Sequence, residues 1–197
     1  MNVAISSNSD KELILKYIEG DTSSFEKLIF KYKDRVYSYI LMNVKNIDLA
    51  NDIFQDTFIK VMTSLKVNKY QEKGNFISWI IRIAHNLIID HYRKNKKLPT
   101  INNGQSDYDL FNNSDFSDLS IEQTIIKEQI KNDIKKLIDI LPFEQKQVLL
   151  LRIYGDLSFK EIAELTSVSI NTALGRMRYA LINLRKYIEQ NNISLTM

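Results

Sequence analysis

Side chains suited to contact with DNA cluster within residues 171–178 of this 197-residue chain. They are Asn171, Thr172, Gly175, Arg176 and Arg178. Asparagine and threonine can hydrogen-bond to base edges, and arginine can pair with guanine or with phosphate. A glycine inside a helix costs about 1 kcal/mol relative to alanine. Gly175 therefore indicates either close approach to a sugar-phosphate backbone or relief of crowding within the protein.

Two helices joined by a short turn would present these residues. Ser158, with Glu161 three residues later, forms a capping box that opens a short helix, and Ser169 can cap a second helix at the amide of Thr172. The apolar residues spaced to bury between the two helices are Ile162, Ala163, Val168, Ala173, Met177 and Leu181. The pattern is typical of a helix-turn-helix. The alternative is an ordinary helical hairpin with a solvated basic face.

A second group suited to nucleic acid lies on a predicted helix from Phe76 to Lys94. Its side chains fall at offsets of three, four and seven residues, which keeps them on one line: Trp79, Arg82, Asn86 and Arg93. An indole, an amide and two guanidinium groups can stack on unpaired bases and hold their backbone. The alternative is a half-buried tryptophan flanked by surface charge. The expected core stripe of this helix is Ile80, Ile83, Ala84 and Leu87.

Composition argues against metal and catalytic chemistry. The chain has no cysteine and only two histidines, His85 and His91, which excludes a thiolate zinc finger and argues against an all-histidine metal site. Asp90 stands beside His91 without a nucleophile nearby in the sequence, and adjacent residues point to different faces of a helix. We expect neither an enzyme nor a cofactor.

The sequence also shows no export or membrane signal. The first ten residues, MNVAISSNSD, lack the basic-then-apolar pattern of a signal peptide. No uncharged apolar run approaches the ~20 residues that span a bilayer. We therefore expect a cytoplasmic protein without direct membrane insertion.

The elements that position these groups are predicted to be helices, because apolar residues recur at spacings of three and four and the chain has only 5 glycines and 2 prolines. The pattern begins at about Asp10 and restarts at GDTSSFEKLIFKY, where Asp21 or Ser23 can cap and Glu26 can complete a capping box with Ser23. Further helices are predicted over Lys31–Asn43, Ile47–Leu65 and Phe76–Lys94.

A segment without helical period separates two helical regions. Residues 98–120 carry no lysine or arginine and are rich in Asn, Asp and Ser, whereas residues 82–97 are basic. The four aspartates of the segment are Asp107, Asp109, Asp115 and Asp118. We predict an all-α fold of two small helical domains, 10–97 and 121–190, joined by a flexible acidic linker, 98–120, with the helix-turn-helix in the second domain.

Both halves resemble one known family. NFISWIIRIAHNLIIDHYRKNKK and ANDIFQDTFIKVMTSL resemble the promoter-melting domain, region 2, of bacterial sigma factors. FEQKQVLLLRIYGDLSFKEIAELTSVSINTALGRMRYALINLR resembles their C-terminal helix-turn-helix domain, region 4. Two domains without a third between them are similar to the extracytoplasmic-function (ECF) class of the sigma-70 family, and the resemblance covers about residues 10–190.

The resemblance implies a transcription initiation factor that binds core RNA polymerase and directs it to promoter DNA. Asp52, Gln55 and Asp56 match the polar face that meets the clamp coiled coil of the β′ subunit, although without the resemblance they would be solvated helix surface. The loop KVNKYQEKGN and the helix bearing Asn86 match the elements that read the −10 strand. Asn171, Thr172 and Arg176 match positions on the helix that reads the −35 element.

The resemblance also implies further partners. These are the β flap of the polymerase and an anti-sigma factor, which in relatives is often membrane-anchored. In the family the linker passes through basic channels of the polymerase, so its four aspartates would imitate the charge of nucleic acid there. The alternative for each aspartate is a solvating role in a disordered linker.

Two positions depart from the family pattern. Ser167 stands where many relatives place the glycine of the turn, so we expect a non-glycine conformation or a different turn geometry. Leu174 takes a place that is often basic, so we expect fewer phosphate contacts. The alternative function is a conventional dimeric helix-turn-helix transcriptional regulator, which would bind a palindromic site rather than an asymmetric two-part site.

Overall fold

The computed structural model describes residues 9–67, 75–94 and 134–191, and every regular element in these ranges is an α-helix. The chain divides into two compact units, Met1–His91 and Tyr92–Met197. The expected all-α, two-domain fold is therefore confirmed. The linker 98–120 with its four aspartates, and most of the loop KVNKYQEKGN, lie outside the described residues, and the domain boundaries drawn from the sequence remain predictions.

The first helices of the chain are α1 (Asp10–Ile18), α2 (Thr22–Val44), α3 (Ile47–Lys66) and α4 (Phe76–Lys94). The expected bounds of α4 are confirmed, and α3 extends one residue beyond the expected end. The expectation that a helix starting near Asp21 ends before a separate helix over Lys31–Asn43 is wrong, because α2 is one continuous helix of 23 residues. No glycine or proline interrupts α2, so nothing in its sequence breaks it.

The N-terminus of α2 is capped by Asp21. Its carboxylate accepts a hydrogen bond from the backbone N–H of Ser23 at 3.0 Å and from the hydroxyls of Ser23 at 2.7 Å and Ser24 at 2.6 Å. The hydrogen bonds from Ser24 and Ser23 lower the pKa of Asp21 to about 2. The alternative cap, a box of Ser23 with Glu26, is not formed because α2 begins at Thr22, which places Ser23 inside the first turn of the helix rather than at its N-cap.

The core of the first unit lies between α2, α3 and α4. Fully buried side chains come from all three helices: Tyr39, Ile40 and Leu41 from α2, Val61 and Leu65 from α3, and Ile80, Ile81 and Ala84 from α4. Part of the expected stripe of α4 is wrong, because Ile83 and Leu87 are only half-buried whereas Ile77, Ile81 and Ile88 are buried. The buried line is therefore rotated by part of a turn toward Ile77, Ile81 and Ile88.

The second unit contains α5 (residues 134–140), α6 (Phe143–Gly155), α7 (Phe159–Leu165) and α8 (Ile170–Gln190). Its buried apolar side chains include Val148, Leu150, Leu151, Leu157, Ile162, Ala173 and Ala180. Two polar contacts tie these helices together. Lys146 of α6 reaches Asp139 of α5 at 2.7 Å, and Asn183 of α8 donates to Gln145 of α6 at 2.8 Å. The first contact holds α5 against α6 and the second holds α8 against α6, with α7 packed beside α6 and α8.

Candidate nucleic-acid interface

The caps predicted for α7 and α8 are both present. Ser158 Oγ accepts the backbone N–H of Glu161 at 3.3 Å, and Glu161 Oε2 accepts the backbone N–H of Ser158 at 2.8 Å, which completes the capping box. Ser169 Oγ accepts the backbone N–H of Thr172 at 3.0 Å. The capping box fixes where α7 begins, and the Ser169 cap ends the turn between α7 and α8 and fixes where α8 begins.

The turn itself keeps a left-handed residue without glycine. Ser167 has φ 56°, and Val168 donates its backbone N–H to Ala163 O at 3.0 Å across the turn. The expectation that serine would force a different conformation here is wrong. Because a side chain in this region crowds the following carbonyl, Ser167 carries backbone strain that a glycine would not.

The packing between α7 and α8 follows the expected pattern in part. Ile162, Ala163 and Ala173 are buried as expected. Val168 and Met177 are half-buried. Leu181 is 41% exposed, so its predicted burial is wrong. The inward position is taken by Ala180, seven residues after Ala173, and Leu181 is turned about 100° away from it.

The five residues predicted to contact DNA form what we call the duplex face of α8. Asn171, Thr172 and Arg178 are exposed, and Gly175 and Arg176 are half-buried. A Cβ added at Gly175 would meet nothing within 4 Å. Relief of crowding within the described part of the chain therefore does not explain this glycine, and close approach to a sugar-phosphate backbone stays a prediction.

Two exposed aliphatic residues accompany the duplex face. Ile170 is 46% exposed and Leu174 is 43% exposed. From the sequence, Leu174 was noted only as a position that lacks the basic side chain common in the family, and Ile170 was not noted. The helical period could have found both residues, because Leu174 lies three residues after Asn171 and four before Arg178, and Ile170 lies four residues before Leu174 on the same side of α8.

The second predicted group lies along α4, and we call it the strand face: Trp79, Arg82, Asn86 and Arg93. Asn86 and Arg93 are exposed, and Trp79 and Arg82 are half-buried. The indole packs against Phe76 with ring centroids 5.7 Å apart and planes tilted by 32°. Because Phe76 is buried, this contact anchors the indole to the core and helps to fix its orientation.

The third predicted group lies on α3, and we call it the docking face: Asp52, Gln55 and Asp56. All three residues are exposed. Ile59, which sequence reasoning missed, follows Gln55 by one turn and is 53% exposed. Ile59 therefore adds one exposed aliphatic side chain to the polar residues of the docking face.

Other kinds of site find no support in the described part of the chain. Residues 9–67, 75–94 and 134–191 bring together no group of three or more His, Asp or Glu that could hold a metal ion. Within the same ranges, no helix has the length and apolar character needed to cross a bilayer.

Comparison with known families assigns each half of the chain separately. Residues 28–98 match the family model of sigma-70 region 2, and residues 131–179 match that of sigma-70 region 4. The first match contains the docking and strand faces, and the second contains the duplex face.

Similar proteins and structures agree with this assignment. The ECF RNA polymerase sigma factor SigW of Bacillus subtilis is 26% identical over 181 residues, covering 90% of this chain and 96% of SigW. The RNA polymerase sigma factor YlaC of the same organism is 28% identical over 174 residues, covering 86% of this chain and 97% of YlaC.

The fold is shared with solved structures. CnrH, solved in complex with the cytosolic domain of CnrY, aligns with TM-score 0.61 at 17% identity, covering 93% of this chain and 99% of CnrH. RpoE of Bartonella quintana, solved with the anti-sigma factor NepR, aligns with TM-score 0.59 at 16% identity, covering 85% of this chain and 98% of RpoE. Regions 2 and 4 are matched in that order, and the similar sigma factors align over nearly their whole length. The chain therefore belongs to the sigma-70 family and is a sigma factor of the ECF class, a promoter-specific transcription initiation factor.

Proposed function

We propose that this sigma factor docks on core RNA polymerase through α3, reads the −35 element with the duplex face of α8, and captures the unpaired strand of the −10 element with the strand face of α4. It acts without enzymatic activity or a cofactor, in the cytoplasm. The sequence-derived division into a region 2 domain at 10–97, a linker at 98–120 and a region 4 domain at 121–190 belongs to the same proposal.

The observation that carries the proposal is the different chemistry of the two nucleic-acid faces. The duplex face has small polar groups and arginine on an exposed helix start, which suits base edges in a major groove. The strand face adds an oriented, half-buried indole at Trp79 between a core contact and exposed polar groups. An aromatic platform is useful where bases are already unpaired, because every base can stack on it.

The modest charge of the chain fits a factor that works on a larger machine. The net charge is only +3, and binding to duplex DNA depends strongly on the number of phosphates that a protein neutralises. The polymerase would therefore supply much of the phosphate contact. We expect little tight promoter binding by the free protein.

The proposed polymerase partners are the clamp coiled coil of β′, which the docking face would meet, and the β flap, which region 4 would meet. An anti-sigma factor, possessed by many relatives and often membrane-anchored there, is a further proposed partner. CnrH and the Bartonella RpoE were solved in complex with CnrY and NepR respectively, which shows that this fold can be held by such proteins.

Reconstitution tests the proposal. The purified chain is added to sigma-free core polymerase, transcription starts are mapped on genomic DNA, and the complex is footprinted on the promoters found. We expect one asymmetric two-part footprint that requires the polymerase. Nanomolar binding to duplex by the free chain, or a footprint with mirror symmetry, would instead favour a dimeric helix-turn-helix regulator.

A further inference from the structure

Leu174 lies within the surface that α8 presents for DNA, at a place where its side chain is 43% exposed. It follows Asn171 by three residues and precedes Arg178 by four, so it stands between two members of the duplex face on one side of the helix. One turn earlier, Ile170 is 46% exposed at the first position of α8. The first turns of α8 therefore present both polar and aliphatic side chains on their exposed surface.

The chemistry of leucine restricts what it can contact on DNA. It has no donor or acceptor for a base edge and no charge for a phosphate. Among the groups that base pairs show in the major groove, the C5-methyl of thymine is the apolar one, and apolar side chains read it. If α8 lies in the groove, contact with a thymine methyl is the interaction by which Leu174 gains from DNA binding.

We propose that Leu174 is a specificity-determining residue that reads the methyl group of a thymine in the −35 element. The proposal rests on the proposed function, because it needs α8 to enter the major groove of that element. A basic residue at this position would contact a phosphate whatever the DNA sequence. Leu174 would instead make a contact that only thymine offers. Ile170 would extend the same aliphatic surface by one turn.

A solitary exposed leucine is common on protein surfaces and needs no ligand. Leu181 provides the matched comparison, because it is also on α8, is 41% exposed, and lies seven residues beyond Leu174, away from the helix start. Substitution at either site should leave folding intact, since neither side chain is buried.

The experiment uses the reconstituted holoenzyme on a promoter identified by start-site mapping. Each thymine of the −35 element, on both strands, is replaced in turn by deoxyuridine, which removes the methyl group and keeps every hydrogen-bonding group. With the wild-type chain, we expect one or two positions at which deoxyuridine lowers open-complex formation about fourfold, the effect of one lost methyl contact. Leu181→Ala should retain this dependence.

Two variants of Leu174 assign the effect to this residue. In Leu174→Ala, thymine and deoxyuridine should become equivalent at the sensitive position. In Leu174→Lys, thymine and deoxyuridine should again be equivalent. In addition, promoter binding should depend more steeply on salt concentration, by the amount expected for about one additional phosphate contact. A basic side chain thus exchanges thymine reading for phosphate binding.

Three results would overturn the inference: a −35 element without thymine on either strand, a wild-type holoenzyme indifferent to deoxyuridine at every position, or a Leu174→Ala variant that keeps the wild-type penalty. Failure of the wild-type chain to initiate with core polymerase is a different result. It would defeat the proposed function and remove the inference with it.

Discussion

The hydroxyl of Tyr39 lies 2.9 Å from Nδ1 of His85, in the core of the first unit. The pair joins α2 to α4, the helix that carries the strand face, and both side chains are buried. Burial lowers the pKa of His85 to about 4 and raises the pKa of Tyr39 above its ordinary value. His85 is therefore uncharged in the folded protein near neutral pH, and its contact with Tyr39 helps to hold α4 against α2.

Acid should destabilise the first unit through His85. The unfolded chain binds a proton at this ring near pH 6.5, whereas the folded chain binds it only near pH 4. The free energy of unfolding is therefore unaffected by protonation of this group above about pH 6.5, and it falls by about 3 kcal/mol between pH 6.5 and 4 as His85 of the unfolded chain is protonated. Urea unfolding followed by the fluorescence of Trp79, the single tryptophan, measures it. His85→Gln is the comparison, and pH profiles that run parallel for both proteins would refute the assignment.

Two buried tyrosines should respond in opposite ways to loss of the hydroxyl. Among the described residues, the Tyr17 hydroxyl is buried without a hydrogen-bond partner, while the Tyr17 ring stacks on Phe25 at 4.7 Å. Tyr17→Phe should leave the free energy of unfolding unchanged or raise it by up to about 1 kcal/mol. Tyr39→Phe should lower it by about 1–3 kcal/mol, because His85 loses its partner. Equal losses in the same urea experiment would contradict the structure.

Glycine at the turn should stabilise the second unit. Ser167 has φ 56°, and Ser167→Gly removes the cost of a side chain in that conformation, so we expect a gain of about 1 kcal/mol. Ser169→Gly is the matched control, because Ser169 has φ −72° and caps α8. That control should lose a few tenths of a kcal/mol. Chemical unfolding followed by circular dichroism distinguishes them, and a loss in Ser167→Gly would show that the strain is absent.

Alanine at Gly175 should separate stability from DNA reading. The added methyl meets nothing within 4 Å in this chain, so Gly175→Ala should raise the free energy of unfolding by about 0.5–1 kcal/mol. Transcription from a promoter that depends on the −35 element should fall, because the methyl blocks close approach of the DNA backbone. A variant that is both more stable and fully active would remove the functional explanation for this glycine.

The docking face should depend on its apolar centre. Ile59 is 53% exposed, so Ile59→Ala should leave folding nearly unchanged while weakening binding to core polymerase by about tenfold. Leu15→Ala, a similar loss at a 50% exposed residue of α1, serves as the control. Competition for core polymerase against the wild-type chain measures both. Equal affinities for Ile59→Ala and Leu15→Ala would exclude Ile59 from the interface.

Local signals in the sequence predicted much of this architecture. The caps at Ser158 and Ser169 were predictable because each contact lies within three residues of the chain and needs no distant neighbour. The same spacing at Ser23 and Glu26 forms no box, because α2 already begins at Thr22. The shared line of Trp79, Arg82, Asn86 and Arg93 follows from helical geometry alone.

The side of each helix that meets the core was harder to predict, because it depends on neighbours from elsewhere in the chain. Periodicity assigned Leu181 and Ile83 inward, whereas Ala180 and Ile81 hold those places. An aliphatic residue on an outward face, such as Ile59 or Leu174, carries the same sequence signal as a core residue. Its exposure can be inferred from the sequence only where it shares a helical line with residues already assigned outward, as Leu174 does with Asn171 and Arg178.

In the proposed function, this sigma factor captures unpaired promoter bases only when it is bound to the polymerase. Permanganate oxidation of thymines at the −10 element measures this opening directly. We predict reactive thymines with core polymerase and the wild-type chain together, none with either alone, and a strong loss with Trp79→Ala while protection of the −35 element persists. Full opening with Trp79→Ala, or no opening with the wild-type complex, would contradict the account.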